Sequence, residues 1–177
     1  PKTPKPLYYG IYKMKAVLKS SRRFSTDYTS LLDSFPKEHI CHAFLYGSAV
    51  FQQANYDSKD SIVDMIVVVE DPHDFHVANF QMNSSHYSGL AKRFPIAVTC
   101  GMQERGGIYF HPLVTVESGH KIKYGVVGKA QGIEALTSWH NFALAGRTQK
   151  TIKTIKEDAD FSAAVERNRQ MALSLAV

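Results

Sequence analysis

Residues 43–51, AFLYGSAVF, and residues 61–69, SIVDMIVVV, organise the rest of the chain. The first stretch predicts a buried strand that ends at Gly47 and Ser48. The second predicts a buried, β-branched strand that carries one charge, Asp64. Glycine lets a ligand approach the backbone closely, and serine offers a hydroxyl and an N–H to a phosphate oxygen. Because an aspartate can hold a metal ion beside that phosphate, the two stretches together indicate a site that handles nucleotides.

Taken singly, either stretch is more typical of ordinary structure. A Gly-Ser pair after an apolar run is usually a turn. A single aspartate in a strand is often an edge residue that bonds to backbone. The combination of the two, joined by a polar loop at residues 55–60, is what favours a functional site.

The composition is that of an ordinary globular protein. The chain has 177 residues, 44% hydrophobic and 21% charged, which is enough for one domain with a sizeable core or one domain plus part of another. A formal charge of +5 favours anionic partners: nucleotides, nucleic acid or an acidic membrane surface. Cys41 and Cys100 each lie in an apolar run, which predicts two buried thiols and no disulfide framework. No stretch approaches the roughly 18 apolar residues of a spanning helix.

The N-terminal segment is basic and lacks acids before Asp27. Its seven basic residues are Lys2, Lys5, Lys13, Lys15, Lys19, Arg22 and Arg23. This pattern is typical of an organelle-targeting region, and a solvated basic face on an ordinary segment explains it equally well. The same residues could draw the protein to an anionic membrane leaflet, at about 1 kcal/mol for each charge near the surface.

Hydrophobic periodicity predicts an alternation of helices and strands. After a short helix through Leu31 and Leu32, strands are predicted at residues 41–46, 62–69, 96–100, 107–116, 121–127 and 151–155. Helices are predicted at residues 13–24, 49–53, 131–145 and 161–177, and helix plus loop at residues 72–90. The helix at residues 49–53 would point its N-terminus at the phosphate, which suits an anion. The pattern indicates an α/β fold.

Five short motifs occur in a fixed order along the chain. They are YGSAVFQQA at residues 46–54, VDMI at 63–66, SHYS at 85–88, GIYFHP at 107–112 and IKYGVV at 122–127, followed by LAGR at 144–147 with Gln149 and Lys150. In this order they resemble the mitochondrial translocator assembly and maintenance protein family, the peripheral mitochondrial phosphatidate cytidylyltransferases. The resemblance covers roughly residues 28 to 177.

The resemblance implies a fold and a reaction. The implied fold is α/β, a nucleotidyltransferase (polymerase-β-like) domain over residues 1–150 with a mixed sheet flanked by helices. Residues 151–177 would begin a helical, winged-helix-like domain. The implied reaction transfers CMP from CTP to phosphatidic acid with Mg²⁺, giving CDP-diacylglycerol and pyrophosphate for cardiolipin synthesis. It implies peripheral contact with the matrix side of the mitochondrial inner membrane and no nucleic-acid partner, and it leaves the oligomeric state open.

The resemblance also assigns roles to particular residues. The catalytic residues would be Asp64, which also binds the metal, Ser48 and Lys123. Lys123 neutralises phosphate if it points into the cleft, and is an edge-strand lysine if it points outwards. The nucleotide-binding residues would be Tyr46, Gly47, Ser48, His86, Tyr87, Ser88, Lys123 and Arg147. For His86 and Tyr87 a structural pair that caps a helix is an equal alternative, and Arg147 follows a helix end, where the dipole favours cations anyway.

The chain departs from the family pattern at three positions. Ile66 stands where related nucleotidyltransferases carry a second acid, Ala49 where glycine is common, and His111 where asparagine is common. A lone Asp64 is still compatible with the reaction, because magnesium commonly takes one or two carboxylates plus substrate phosphates. No strong general base is needed either, because a phosphomonoester with a second pKa of about 6 is largely ionised at neutral pH.

Two other classes of function remain open. A nucleotidyltransferase acting on RNA or protein would use the same Gly47-Ser48 and Asp64, although residues 40–130 lack a clustered basic stripe. A degenerate nucleotide-binding module in a mitochondrial assembly complex would keep the fold and lose the second carboxylate. The histidines His73, His76 and His111 do not have the spacing of a closed zinc site.

Overall fold

The computed structural model describes residues 28–51, 62–116 and 119–176. Its strands are β1 (Ile40–Tyr46), β2 (Val63–Val69), β3 (Tyr109–Thr115), β4 (Lys121–Gly128) and β5 (Lys153–Lys156). Its α-helices are α1 (Pro72–Met82), α2 (Gly89–Arg93), α3 (Pro95–Gly106), α4 (Lys129–Ser138), α5 (Phe142–Thr148) and α6 (Ala159–Leu175), and short 3₁₀ helices span Thr29–Ser34, Lys37–His39 and Ser84–His86. The helix predicted at residues 13–24 lies outside the described residues.

The strands form one mixed sheet in the order β3-β4-β2-β1-β5. β2 and β4 are parallel, and the other neighbouring strands are antiparallel. Five of the predicted strands are therefore confirmed, and so is the mixed α/β sheet flanked by helices. The central strands β1 and β2 are almost wholly apolar because both of their faces are covered.

Side chains alternate between the two faces of the sheet, and each face has its own core. On the first face, Leu45 and Val67 pack with Leu31 and with Phe75 of α1. On the second face, Phe44, Ile66, Val68 and Val127 pack with Leu136, Leu144 and Phe161, which come from α4, α5 and α6. Tyr46, at the end of β1, and Asp64, near the start of β2, lie on this second face. The helices of the second core therefore lie on the same side of the sheet as these two residues.

The strand predicted at residues 96–100 is wrong, because these residues lie in helix α3. A short apolar run does not by itself separate a buried strand from a buried helix turn. Here Pro95 takes the first helical turn, where its fixed φ suits a helix. Gly107 ends the helix with φ 73°, and its N–H donates to the Gln103 carbonyl at 2.6 Å. A proline start and a left-handed glycine end are helix signals.

The single helix predicted at residues 131–145 is also wrong, because α4 and α5 are separate helices. The break lies at Trp139, which has a left-handed φ of 57°. Its indole Nε1–H donates to Asn168 Oδ1 of α6 at 2.7 Å, a tertiary contact that stabilises the break. Asn141 then caps α5 by accepting from the Ala143 N–H at 2.9 Å. Gly146 lies inside α5 and does not end a helix.

Residues after 150 contribute to the same sheet and core. β5 pairs with β1, and Phe161 and Val165 of α6 belong to the second core. The predicted domain boundary at residue 150 therefore does not coincide with a break in packing. That a further helical domain starts in this segment stays a prediction.

Cys41 and Cys100 are free thiols, half-buried where full burial was predicted, and no disulfide joins them. Within the described ranges, no helix is both long and apolar enough to cross a bilayer.

The Asn168 side chain joins α6 to α5 and to the Trp139 break, and its removal is expected to destabilise the fold. It is fully buried, and its amide group also donates to the Ala145 carbonyl at 2.9 Å and to Thr148 Oγ1 at 2.8 Å. We expect Asn168→Ala to lower the free energy of unfolding by about 2–4 kcal/mol, because several buried polar groups lose their partner. Urea denaturation measures this loss. The matched control Gln170→Ala, at an exposed position of the same helix, should stay close to the unchanged protein, and equal losses would contradict the prediction.

Candidate functional site

Three of the predicted site residues lie side by side at the ends of three neighbouring inner strands. Tyr46 ends β1, and its Cα pairs with that of Asp64 near the start of β2. Asp64 in turn pairs with Lys123 near the start of β4. Paired residues of adjacent strands project from the same face, so the phenol, the carboxylate and the ammonium group are neighbours on the second face. Lys123 is thus brought to Asp64 by strand register alone.

The bend after β1 lies directly against the Asp64 carboxylate. Gly47 has φ 87°, and a Cβ atom on it would lie 2.9 Å from Asp64 Oδ2. The Gly47 carbonyl accepts from the N–H groups of Val50 and Phe51, at 3.3 and 3.1 Å, so the chain turns sharply here. Ser48 is exposed on this turn. The predicted juxtaposition of Gly47-Ser48 and Asp64 is therefore present. Of the helix predicted at residues 49–53, the described residues form only this turn.

Arg147 reaches the same place from α5. Its Nε–H donates to the Tyr46 hydroxyl at 3.2 Å, and its Nη1 donates to the Ala143 carbonyl. The guanidinium carbon lies 5.6 Å from the centroid of the Tyr46 ring and 5.2 Å from that of Phe110. Both distances are within the range of cation–π contacts. The guanidinium therefore lies near both aromatic rings, and close enough to Asp64 to affect the pKa of its carboxyl group.

At the Asp64 carboxyl group, the effect of burial on the pKa outweighs the effect of the two nearby cations. Partial burial raises its pKa, and the nearby charges of Lys123 and Arg147 oppose that rise. No salt bridge to Asp64 is formed by the described residues. Burial also raises the pKa of Tyr46, and its hydrogen bond with Arg147 opposes that change. A carboxylate with cations close by but not bound to it can accept a further ligand.

Of the described residues at these strand ends, Asp64 is the one that offers a carboxylate to a metal ion. Ile66, at the place of the usual second acid, is fully buried, and its Cδ1 occupies the space where a Cβ on Gly125 would lie. The donor set of Asp64 fits magnesium, provided that phosphate and water oxygens complete the coordination. Asp57 and Asp60 lie outside the described residues. A separate exposed group, Asp71, His73 and Asp74, lies beyond the other end of β2, where Asp71 caps α1.

The family model described as "Phosphatidate cytidylyltransferase, mitochondrial" matches residues 28–177. The chain belongs to this family.

Curated relatives with the same name agree with this assignment. The human protein is 36% identical over 154 residues, which are 84% of this chain and 34% of the human one. The Saccharomyces cerevisiae protein is 33% identical over 168 residues, 93% of this chain and 43% of the yeast one. The Schizosaccharomyces pombe protein is 42% identical over 119 residues, 66% of this chain and 30% of its own. These relatives carry the name of a nucleotidyltransferase of the mitochondrion, and the chain spans less than half of their length.

The other residues that the family resemblance pointed to lie elsewhere. His86 and Tyr87 contact the first face of the sheet, opposite to Asp64. Tyr87 is buried, and its hydroxyl accepts from Asn79 Nδ2 at 3.0 Å, so it does not line the Asp64 site as predicted. His86 Nδ1 bonds to the Tyr124 hydroxyl at 3.0 Å, and exposed Ser88 accepts weakly from the Ala91 N–H at the start of α2. All three residues thus have partners within the fold, and a role in binding the nucleotide stays a prediction.

A buried cluster of imidazoles and phenols surrounds these residues on the first face. His111 stacks on Tyr124 with ring centroids 4.2 Å apart, and its Nδ1–H donates to the His86 carbonyl at 3.0 Å. His76 bonds to the Tyr87 hydroxyl at 3.0 Å and to Gln103 Oε1 at 2.8 Å. Burial lowers the pKa of His76 and His86, and it lowers the pKa of His111 to about 3. The cluster fixes Tyr124, the residue next to Lys123 in β4.

Phe110 is the residue at this site that sequence reasoning missed. It lies in the GIYFHP motif, but nothing in the sequence connects it with Arg147, which is far away along the chain. A cavity of about 290 Å³ lies on the same face, further from the sheet edge, between Ile108, Val127 and Leu144. None of the predicted site residues lines it.

Replacement of Gly47 is expected to disturb the Asp64 carboxylate specifically. Gly47→Ala adds a methyl group 2.9 Å from Asp64 Oδ2. The alanine would also have to keep a positive φ, which costs a residue other than glycine about 1–2 kcal/mol. Gly119→Ala is the matched control, because Gly119 has φ 80° and nothing within 4 Å of its Cβ position. Both variants should lose similar stability in urea denaturation. Only Gly47→Ala should change the carboxyl ¹³C resonance of Asp64 and its titration midpoint, and an unchanged Asp64 titration would contradict the prediction.

The fold should lose stability in mild acid because of the buried imidazoles. Folding lowers the pKa of His111 from 6.5 to about 3, so the unfolded chain binds more protons below pH 6.5 and stability falls as the pH falls. Between pH 7.5 and 5 this group alone should cost about 2 kcal/mol of the free energy of unfolding. Urea denaturation at several pH values should show a weaker pH dependence for His111→Asn than for the unchanged protein. His140→Asn, at an exposed position, should leave the dependence unaltered, and a His111 variant with the original slope would count against this account.

Proposed function

We propose that this chain carries the nucleotidyl-transfer site of a phosphatidate cytidylyltransferase, which uses CTP and phosphatidic acid. The observation that carries the proposal is the contact of the Asp64 carboxylate with the positive-φ bend at Gly47. Lys123 and Arg147 lie on the same face and act on the same carboxylate. One acid, one open backbone bend and two cations are the groups that a metal-bound triphosphate requires.

The reaction joins two polyanions. An oxygen of the phosphatidate phosphate attacks the α-phosphorus of CTP, the bond from that phosphorus to the bridging oxygen breaks, and pyrophosphate leaves. The attacking phosphate is largely ionised at neutral pH, so the site needs positioning and positive charge more than a base. In this proposal, Lys123 and Arg147 supply charge against the repulsion of the substrates. Ser48 and the Gly47 backbone bind the β and γ phosphates.

Magnesium is the ion that this donor set favours. Asp64 would hold it, and substrate phosphates and water would complete its coordination. The ion would supply charge that neutralises the departing pyrophosphate. Tyr46 contributes through its hydrogen bond with Arg147. In this proposal, His86 and Tyr87 contact the other face of the sheet. They and the exposed Ser88 do not touch the phosphates.

The lipid substrate implies contact with a membrane surface. The relatives' names include the mitochondrion, and a peripheral position on the matrix side of the inner membrane would suit cardiolipin synthesis. The absence of a spanning helix among the described residues is compatible with peripheral contact. The basic residues before Asp27, which would meet anionic lipid, lie outside the described residues.

Substitution of Asp64 tests the proposed function. Full-length protein containing this chain is incubated with CTP labelled at the α-phosphate, Mg²⁺ and phosphatidate vesicles, and labelled CDP-diacylglycerol is separated as lipid. We expect Asp64→Asn to lower the rate by about 10²–10³-fold, because the shape is kept and the charge is lost. Asp33→Asn, at an exposed position of a 3₁₀ helix, is the matched control and should be as active as the unchanged protein.

The same assay separates the other two classes of function. Equal labelling by the Asp64 variant and the unchanged protein would remove Asp64 from the mechanism. Binding of CTP without transfer to lipid would favour the nucleotide-binding module instead. Transfer of label to RNA or protein, with none to phosphatidate, would favour the second enzyme class.

A further inference from the structure

We propose that Phe110 and Tyr46 are positioning residues, which hold the Arg147 guanidinium beside the Asp64 carboxylate so that it can bind a phosphate of CTP. This inference rests on the proposed function for the identity of the ligand. It gives Phe110 a role, and it makes Tyr46 a residue that acts through Arg147 rather than one that contacts the nucleotide.

The contacts of Arg147 leave one edge of its guanidinium for a ligand. Nε donates to the Tyr46 hydroxyl, and Nη1 donates to the Ala143 carbonyl of its own helix. A guanidinium has five N–H donors in a fixed plane. Within the described residues Nη2 has no hydrogen-bond partner, and no carboxylate forms a salt bridge with Arg147. A half-buried guanidinium that is oriented by neutral partners keeps its full charge for an anion.

The position of Phe110 depends on a glycine in the neighbouring strand. Phe110 in β3 pairs with Gly125 in β4. A Cβ atom on Gly125 would lie 2.8 Å from Phe110 Cε1 and 2.9 Å from Ile66 Cδ1. The ring therefore fills the space that a side chain at residue 125 would take. The Phe110 ring thus lies directly against the backbone of β4, and the guanidinium carbon of Arg147 is 5.2 Å from the centroid of the ring.

The two rings restrict Arg147 in complementary ways. The Tyr46 hydroxyl fixes the direction of Nε, and the Phe110 ring lies 5.2 Å from the guanidinium carbon and limits its movement. Holding a charged group in its binding geometry lowers the entropy that is lost when the ligand binds. If the two rings only stabilised the fold, their substitution would not change the affinity for CTP. Affinity for the nucleotide is therefore the informative measurement.

The test is a double-mutant cycle on CTP binding, measured by calorimetry with Mg²⁺ on the full-length protein. We expect Phe110→Leu to weaken CTP binding about 5- to 30-fold, the range of a partly buried cation–π contact. In an Arg147→Ala background the same substitution should have no further effect, because the group that it positions is gone. Phe110→Tyr keeps the ring and should bind as the unchanged protein does. Tyr46→Phe, which removes only the hydroxyl, should also weaken binding only when Arg147 is present.

A matched control and a stability measurement accompany the cycle. Phe142→Leu makes the same chemical change at an exposed ring of α5 that packs near Trp139, and it should not alter CTP affinity. Thermal unfolding of each variant shows whether the fold is kept. Phe110→Leu that is silent, or that weakens binding equally in both backgrounds, would overturn the inference.

The outcomes separate this inference from the proposed function. If the cycle behaves as expected but the unchanged protein transfers no CMP to phosphatidate, the positioning role stands and the proposed function fails. If transfer occurs and the cycle is additive, the function stands and the positioning role fails. If the unchanged protein binds no CTP with Mg²⁺, both are overturned.

Discussion

The half-buried carboxylate of Asp64 is the constraint on which the rest of the site depends. A carboxylate near the end of an apolar strand loses part of its hydration, and this burial raises the pKa of Asp64. Lys123 reaches it because β2 and β4 are parallel and in register. Arg147 reaches it from α5, and Gly47 leaves room because it has no side chain. Three groups from other parts of the chain, Lys123, Arg147 and Gly47, thus surround this one carboxylate.

The sheet separates two tasks between its faces. The second face carries Asp64 and Lys123, and helices α4, α5 and α6 pack on that face. The first face buries a cluster of neutral imidazoles and phenols against Tyr124, the residue that follows Lys123. Because successive residues of a strand point to opposite faces, Tyr124 faces this cluster while Lys123 faces Asp64.

Much of this arrangement could be predicted from sequence, and the limits have physical reasons. The strands that place Gly47 beside Asp64 could be predicted, because strand patterns are local and a glycine or a charge that interrupts them is visible in the sequence. The faces contacted by His86 and Tyr87 could not be predicted, because they lie outside any strand and alternation does not apply to them. Phe110 could not be connected with Arg147, since the contact is tertiary.

The errors in secondary structure have the same origin. The apolar run at residues 96–100 fits a strand or a helix, and its flanking residues decide for the helix. The break at Trp139 depends on a hydrogen bond to Asn168, which no local pattern contains.

The Asn168 side chain connects α6 to α5, the helix that carries Arg147. Its amide bonds to Ala145 and Thr148, which lie on either side of Arg147 in α5. The position of α6 therefore helps to set the position of the turn of α5 that carries Arg147.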